Sequence, residues 1–326
     1  MTISPLAGAV PRPALIAAEL RNLLAPDALA GLDVTWIGAE RPTPKGEFVA
    51  IVPLLTRRIG GTELERLPRL RIVANCAAGY DNVDLVAAEL RGVIVTNTPD
   101  VLTDATADLT WALILACARR LPEGMELVRS GAWTGWHPDQ LLGLELRGRT
   151  LGILGAGRIG QAVGRRAVGF GMRVRYTARS ARAEFERDTG AERVELGRLL
   201  RESDVLTLHV PSAPETRGII GAEALAQMRP GAILINTARG DLLRDEAVVA
   251  ALEAGHLGAL GLDVYRDEPR SDAGRLGAPR AVLLPHLGSA TRDARRRMAA
   301  AALANVRAVL GGRPPLTPVP APRAGA

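Results

Sequence analysis

Three residues stand where carbonyl chemistry would need them. Arg239 follows the apolar run Ala232–Asn236, in Asn-Thr-Ala-Arg-Gly. Glu268 follows Leu260–Val264, in Asp-Val-Tyr-Arg-Asp-Glu-Pro. His286 follows Val282–Leu284, in Pro-His-Leu-Gly-Ser-Ala-Thr. Adding a hydride to a carbonyl requires a cation to hold a carboxylate and polarise the carbonyl, an acid to protonate the developing alkoxide, and a partner that keeps the acid oriented and protonated. Singly, each residue has a bland explanation. An Arg after a strand is commonly solvated, a Glu before Pro commonly sits in a turn, and a His near a strand end is commonly structural. Together they are harder to dismiss, because the ligand crevice of an open α/β sheet lies outside the carboxyl ends of its strands. This chemistry needs no metal, and none is expected.

The signature of a hydride carrier lies upstream. The apolar run Thr150–Leu154 leads into Gly155-Ala-Gly157-Arg158-Ile159-Gly160, and helical spacing follows through Ala167. A lone G-x-G-x-x-G says little; one set between a strand and a helix is a strong sign of a dinucleotide site. Gly155 permits the tight turn, Gly157 lets the backbone approach a pyrophosphate at the helix N-terminus, and Gly160 lets helix and strand pack closely. An NAD site usually carries an acid about 20 residues further on, for the ribose 2′-hydroxyl. No acid occurs from Thr150 to Ala183; the next strand ends Thr177-Ala-Arg179-Ser180-Ala-Arg182. An Arg fork and a hydroxyl suit a 2′-phosphate. NADP(H) is therefore expected over NAD(H), through Arg179 and Ser180, with Arg182 a further candidate and NAD(H) still possible. The plainer alternative is that these arginines are merely solvated.

The elements that must hold these residues read as alternating strands and helices. Strands are expected at Phe48–Leu55, Leu70–Cys76, Gly92–Thr96, Thr150–Leu154, Met172–Tyr176, Val205–His209, Ala232–Asn236, Leu260–Val264 and Val282–Leu284, with helical linkers between them. Such alternation predicts parallel strands with helical crossovers. Ile3–Val10 carries Pro5 and Gly8 and makes a poor first strand. Thr106–Leu121 predicts a buried helix capped by Thr103 or Asp104, residues 131–144 a loop, Asp293–Leu310 a last helix, and the Pro- and Gly-rich 311–326 a disordered tail.

Composition bounds the rest. The chain has 326 residues, 47% hydrophobic and 23% charged, which suits two globular domains. No apolar run reaches a membrane span, and Met1–Pro13 has no secretory pattern. With only two cysteines, Cys76 and Cys117, a reducing, cytoplasmic setting is expected. The net charge is +6, but the basic residues, all Arg except Lys45, are scattered among acids, so neither nucleic acid nor membrane is an expected partner.

The motifs together resemble the D-isomer-specific 2-hydroxyacid dehydrogenase family. The likeness runs through Ala77–Asp84, Gly155–Gly160, Ser203–Pro211, Met228–Gly240, Gly261–Pro269 and Pro285–Thr291, within about residues 45–310. The fold implied is α/β: a doubly wound parallel-sheet Rossmann domain (101–288) for NAD(P), inserted in a smaller flavodoxin-like substrate domain (1–100), with the last helix (289–326) returning to the latter and ending in the tail. The resemblance makes His286 the acid/base and Glu268 the partner of its other ring N–H, favouring the imidazolium. Arg239 would bind carboxylate and carbonyl. Cofactor contacts would fall on Thr106, Gly155, Gly157, Arg158, Ile159, Gly160, Val210, Pro211, Thr216, Thr237, Ala238, Asp263 and Gly288, and substrate contacts on Leu54, Ala78 and Gly79. Gly131–Trp136 with Leu141–Leu146 resembles glyoxylate/hydroxypyruvate reductases, which implies a homodimer in which Trp136 reaches the partner's active site. The activity implied is NAD(P)H-dependent reduction of a small 2-oxo acid to the D-2-hydroxy acid, and the reverse. Another D-2-hydroxyacid or phosphite dehydrogenase of the same fold is the alternative. A non-catalytic dinucleotide sensor would have lost one of Arg239, Glu268 and His286, and none is lost.

Overall fold

Short runs of Leu, Ile, Val and Ala become strands here, the central ones buried on both faces as helix-covered parallel sheets require. The computed structural model describes residues 11–269, 276 and 280–320. The chain forms two compact units, one running to Leu102 and resuming at Ala290, the other spanning Thr103–Ser289.

The first unit holds five parallel strands: β1 (Arg12–Ala17), β2 (Leu32–Ile37), β3 (Ala50–Val52), β4 (Ile72–Ala74) and β5 (Ile94–Thr96). Their order is β2-β1-β3-β4-β5, the flavodoxin-like order. Leu15, Ile51, Ile59, Leu64, Val73 and Val83 pack one core of this unit. The sequence reading missed β1 and β2, and its weak candidate Ile3–Val10 lies outside the described residues. β1 carries Pro13 at its second position and runs straight into the 3-10 turn Ala18–Leu23, which leaves an apolar core of only Ala14–Ala17, too short to stand out as a strand.

The tail corrects a second expectation. Residues 311–320 are not disordered: Thr96 and Pro318 form an antiparallel bridge, and the Val319 N–H donates to the Val95 carbonyl at 2.9 Å. A Pro-rich stretch cannot continue a helix, but it can lie extended along an edge strand such as β5.

The second unit holds β6 (Thr150–Leu154), β7 (Arg173–Thr177), β8 (Glu192–Arg193), β9 (Val205–Leu208), β10 (Ala232–Asn236), β11 (Leu257–Leu262) and β12 (Ala281–Leu283). All pair parallel, in the order β12-β11-β10-β9-β6-β7-β8. This is the doubly wound dinucleotide-binding order, and the strand sequence reverses between β6 and β9. Against the six strands expected, the described residues add the two-residue edge strand β8 and shift several ends by one to three positions.

The helix expected from Thr106 to Leu121 spans Thr103–Ala118, so Thr103 and Asp104 are its first residues, not its caps. Its buried positions, Thr106, Ala107, Thr110, Trp111, Leu113, Ile114, Cys117 and Ala118, recur at helical spacing and form one broad face, with Asp104, Asp108 and Ala112 exposed opposite. Trp111 stacks on Phe170 at 4.2 Å and donates to the Val163 carbonyl. Arg120 turns left-handed (φ 52°), and a separate helix, Leu121–Arg129, begins with Pro122 in its first turn. Pro122 suits that place, because the first turn of a helix has no backbone hydrogen bond to lose. Among the described residues no helix is long and apolar enough to cross a membrane.

Candidate active site

β10, β11 and β12 are neighbours, and the loops leaving their carboxyl ends carry Arg239, Glu268 and His286. His286 adopts a left-handed backbone (φ 55°), uncommon for a residue with a side chain. Asp263 holds it there. The His286 N–H donates to the Asp263 carbonyl at 3.0 Å, while the Leu287 and Gly288 N–H groups donate to the two Asp263 carboxylate oxygens at 2.6 and 2.7 Å. The Thr106 hydroxyl fixes the Gly288 carbonyl at 3.0 Å.

The imidazole then meets Glu268, with Nδ1 2.6 Å from Oε2. The other carboxylate oxygen accepts the Tyr265 N–H at 2.7 Å. Burial pushes the Glu268 carboxyl up, but the hydrogen bonds from His286 and Tyr265, with the charges of His286 and Arg239, outweigh it and hold the group below its usual value. Glu268 is thus a fixed carboxylate facing Nδ1, an arrangement that could pass a proton through Nε2. Burial raises the Asp263 carboxyl against the opposing pull of the Leu287 and Gly288 amides and the His286 charge. With both oxygens taken and 1% exposure, Asp263 acts on the His286 loop.

Arg239 leaves β10 through a tight knot. The Asn236 side-chain amide donates to the Arg239 carbonyl at 2.8 Å, and Asn236 Oδ1 accepts the Ala238 N–H at 3.0 Å. Thr237 is buried, its hydroxyl 3.0 Å from that of Thr110. Gly240 admits the Glu268 loop, since a Cβ there would lie 1.9 Å from the Tyr265 carbonyl carbon. The Tyr265 hydroxyl donates to the Leu284 carbonyl at 2.9 Å. Burial and the Asp263 and Glu268 carboxylates push that phenol up to about 12, so it stays protonated and able to donate. Sequence reasoning passed over Asn236, Tyr265, Thr110 and Gly240, which hold the backbone and carboxylate around Arg239, Glu268 and His286. The one available signal was Gly after Arg239.

The glycine turn sits at the strand-order reversal. Gly155 has φ 101°, and a Cβ there would meet the His209 carbonyl carbon at 2.7 Å and Val210 at 2.8 Å, so the turns after β6 and β9 touch. Burial pushes the His209 imidazole down to about 3, and its Nε2 lies 2.9 Å from the Thr207 hydroxyl. Gly160 packs on the Gly155 carbonyl, where a Cβ would come within 2.2 Å. Gly157 differs: no atom lies within 4 Å of its Cβ position, and it caps the helix Arg158–Gly169. The exposed space at that helix N-terminus is what a pyrophosphate needs. Beside it, Arg182 donates from Nε to the Ala156 carbonyl at 3.0 Å and from Nη1 to the Ser180 hydroxyl at 3.1 Å, with Arg179 and Ser180 exposed. These residues fit a dinucleotide. Ile159 packs into the core, Arg158 is exposed, and the Thr216 hydroxyl orders the turn after Pro211 by donating to its carbonyl at 2.7 Å.

Leu54, Ala78 and Gly79 lie in the first unit. The Leu54 carbonyl accepts from the Asn82 amide (3.3 Å), that of Ala78 from Asn97 (2.7 Å) and that of Gly79 from Asn75 (2.9 Å). Trp136, in the second unit, is 78% exposed.

The model of the NAD binding domain of D-isomer specific 2-hydroxyacid dehydrogenases matches residues 111–288. A glyoxylate reductase of Thermococcus litoralis is 48% identical over 273 residues, 82% of each chain. The solved structure of a Thermus thermophilus protein superposes with TM-score 0.85 at 43% identity, covering 94% of this chain and 100% of that one. An NADPH-dependent glyoxylate/hydroxypyruvate reductase of Sinorhizobium meliloti, solved with NADP and malonate, gives 0.83 at 32% identity, covering 95% and 97%. The chain belongs to the D-isomer specific 2-hydroxyacid dehydrogenase family.

Proposed function

We propose that this protein is a glyoxylate/hydroxypyruvate-type reductase. It takes a small 2-oxo acid to the D-2-hydroxy acid, prefers NADPH to NADH, and runs in reverse when product accumulates. The observation that carries this reading is the His286–Glu268 pair at 2.6 Å, beside the Arg239 charge, on adjacent strand ends of a dinucleotide-binding sheet. The similarity to enzymes named glyoxylate reductase supports the substrate class.

The reduced nicotinamide supplies the hydride. Arg239 binds the carboxylate and polarises the carbonyl, and the Ala78 and Gly79 N–H groups take carboxylate oxygens. As negative charge develops on the substrate oxygen, His286 donates its Nε2 proton to it. The electrons left on the ring stay in the neutral imidazole, whose Nδ1–H remains on Glu268. Gly155, Gly157 and Gly160 bring the backbone to the pyrophosphate. Thr106, Val210, Pro211, Thr216, Thr237, Ala238, Asp263 and Gly288 line or support the rest of the cofactor site.

The NADPH preference rests on the missing acid after β7 and on Arg179 and Ser180, with Arg182 tying Ser180 to the glycine turn. The test is kcat/KM for glyoxylate, hydroxypyruvate, pyruvate and 2-ketogluconate, each with NADPH and NADH, in wild type and Arg179→Ala. Glyoxylate or hydroxypyruvate should lead with NADPH, and the variant should lose about tenfold or more with NADPH and little with NADH. Equal losses with both would remove the 2′-phosphate contact. A pyruvate preference would place the enzyme among the lactate-type relatives.

The helix Leu121–Arg129 and the loop after it expose Leu121, Met125, Val128, Trp133, Trp136 and Leu142. That much apolar side chain on one segment supports a homodimer formed there, with Trp136 reaching the second subunit's substrate. The buried free thiols Cys76 and Cys117 suit a reducing, cytoplasmic setting.

A further inference from the structure

The loop that offers its amides to the substrate carboxylate is turned by bonds to its carbonyls. The Ala77 carbonyl accepts the Thr98 N–H at 2.9 Å, and the Ala78 carbonyl accepts Asn97 Nδ2 at 2.7 Å. In a planar trans peptide the C=O and the following N–H point in opposite directions. Holding the Ala77 carbonyl on Thr98 therefore aims the Ala78 N–H away from Thr98. Holding the Ala78 carbonyl on Asn97 aims the Gly79 N–H away from Asn97. Among the described residues no backbone carbonyl accepts either N–H.

Asn97 is in turn held by the chain's end. Its N–H donates to the Thr317 carbonyl at 3.2 Å, and its carbonyl accepts the Thr317 hydroxyl at 2.6 Å. Thr317 is fixed by Asn305 of the helix Arg292–Leu310. Oδ1 of Asn305 accepts the Leu316 and Thr317 N–H groups at 2.8 and 3.0 Å, and its Nδ2 reaches the Thr317 hydroxyl at 2.9 Å. Asn305 is 1% exposed, so it has no water to turn to and its amide is committed to these bonds.

We infer that Asn97 and Thr317 are positioning residues for the substrate carboxylate, and that residues 316–319 are a strap that holds the Ala78–Gly79 amides in their binding orientation. The inference rests on the reading that these amides take the carboxylate. Its signature is confined to carboxylate binding, because Asn97 and Thr317 belong to the unit that carries Ala78 and Gly79, not to the one that carries the glycine turn. Loss of the Asn97 amide frees the Ala78 peptide to rotate. Loss of the Thr317 hydroxyl loosens Asn97 but leaves its amide in place, so the effect is smaller.

The experiment compares the full-length wild type with Asn97→Ala and Thr317→Val. Glyoxylate KM and kcat are measured at saturating NADPH, NADPH Kd by fluorescence titration, and the Ala78 and Gly79 amide shifts by 15N spectroscopy on adding oxamate. In wild type both amide protons should move downfield with oxamate. KM should rise about tenfold in Asn97→Ala and about threefold in Thr317→Val, exceeding any fall in kcat, while NADPH Kd stays within about twofold. If the wild-type amides ignore oxamate, the carboxylate reading itself fails. If they respond but KM is unchanged in Asn97→Ala, the carboxylate reading stands and the positioning inference falls. Equal losses of substrate and NADPH affinity would also overturn it, as the sign of a general packing role. Thr317→Val removes one partly exposed hydroxyl, so it decides the matter if Asn97→Ala does not fold.

Discussion

At the scale of single residues, the proposed chemistry depends on what holds His286. A left-handed histidine would relax if free, and three hydrogen bonds to Asp263 prevent it. Glu268 faces the ring with its carboxyl held below the usual value. The sign follows from that direction. A carboxyl that ionises more readily folded than unfolded adds stability above its unfolded value, near 4.5, and loses it as pH falls through the folded one. Glu268→Gln should therefore remove part of the wild type's loss of Tm as pH is lowered from about 5. It should also lower kcat about a hundredfold while leaving NADPH affinity intact. Thermal melts across pH with steady-state kinetics check both, and an unchanged kcat would leave Glu268 a structural role only. The Arg, Glu and His were legible in the sequence because strand ends are where such residues act. Asp263, Asn236 and Tyr265 were hard to read as supports, because their work is to orient backbone and no residue spacing encodes that.

At the scale of elements, the strand–glycine turn–helix unit was readable, because its glycines answer to steric demands visible in the pattern. Gly155 and Gly160 meet neighbouring backbone, but Gly157 meets nothing. This separates a ligand-binding turn from a merely tight one. Gly157→Ala should leave Tm within about 1 °C, since its φ of −77° suits alanine and no protein atom is displaced. NADPH Kd should rise about tenfold or more, because the methyl group fills the pyrophosphate's approach. Unaltered cofactor affinity would mean that the cofactor lies elsewhere. The elements misread share a cause. β1 has Pro13 within it, β2 mixes the polar Asp33 and Thr35 among its apolar residues, Pro122 opens a second helix, and the tail gains its order from β5, a partner far away in sequence. Local pattern carries no record of a hydrogen bond made across more than two hundred residues.

At the scale of the whole molecule, two parallel sheets of five and seven strands divide the chain. Parallel sheets in both units were foreseen from alternating strand and helix patterns, with three of the five strands and six of the seven. Of the exposed apolar side chains from Leu121 to Leu142, only those in residues 131–144 were legible, as a Trp- and Gly-rich loop. Light scattering on the eluting protein should give twice the 34.4 kDa chain mass, and Trp136→Ala should raise substrate KM more than it weakens the dimer. A monomer at micromolar concentration would contradict the interface.

The most direct test of the central claim, that His286 is the proton donor for reduction of a 2-oxo acid, is kcat of His286→Ala with glyoxylate at saturating NADPH, read beside its NADPH titration. The expected result is a loss in kcat of about a thousandfold, with cofactor affinity unchanged within about twofold. Turnover near that of the wild type, with the cofactor bound as tightly, would contradict it.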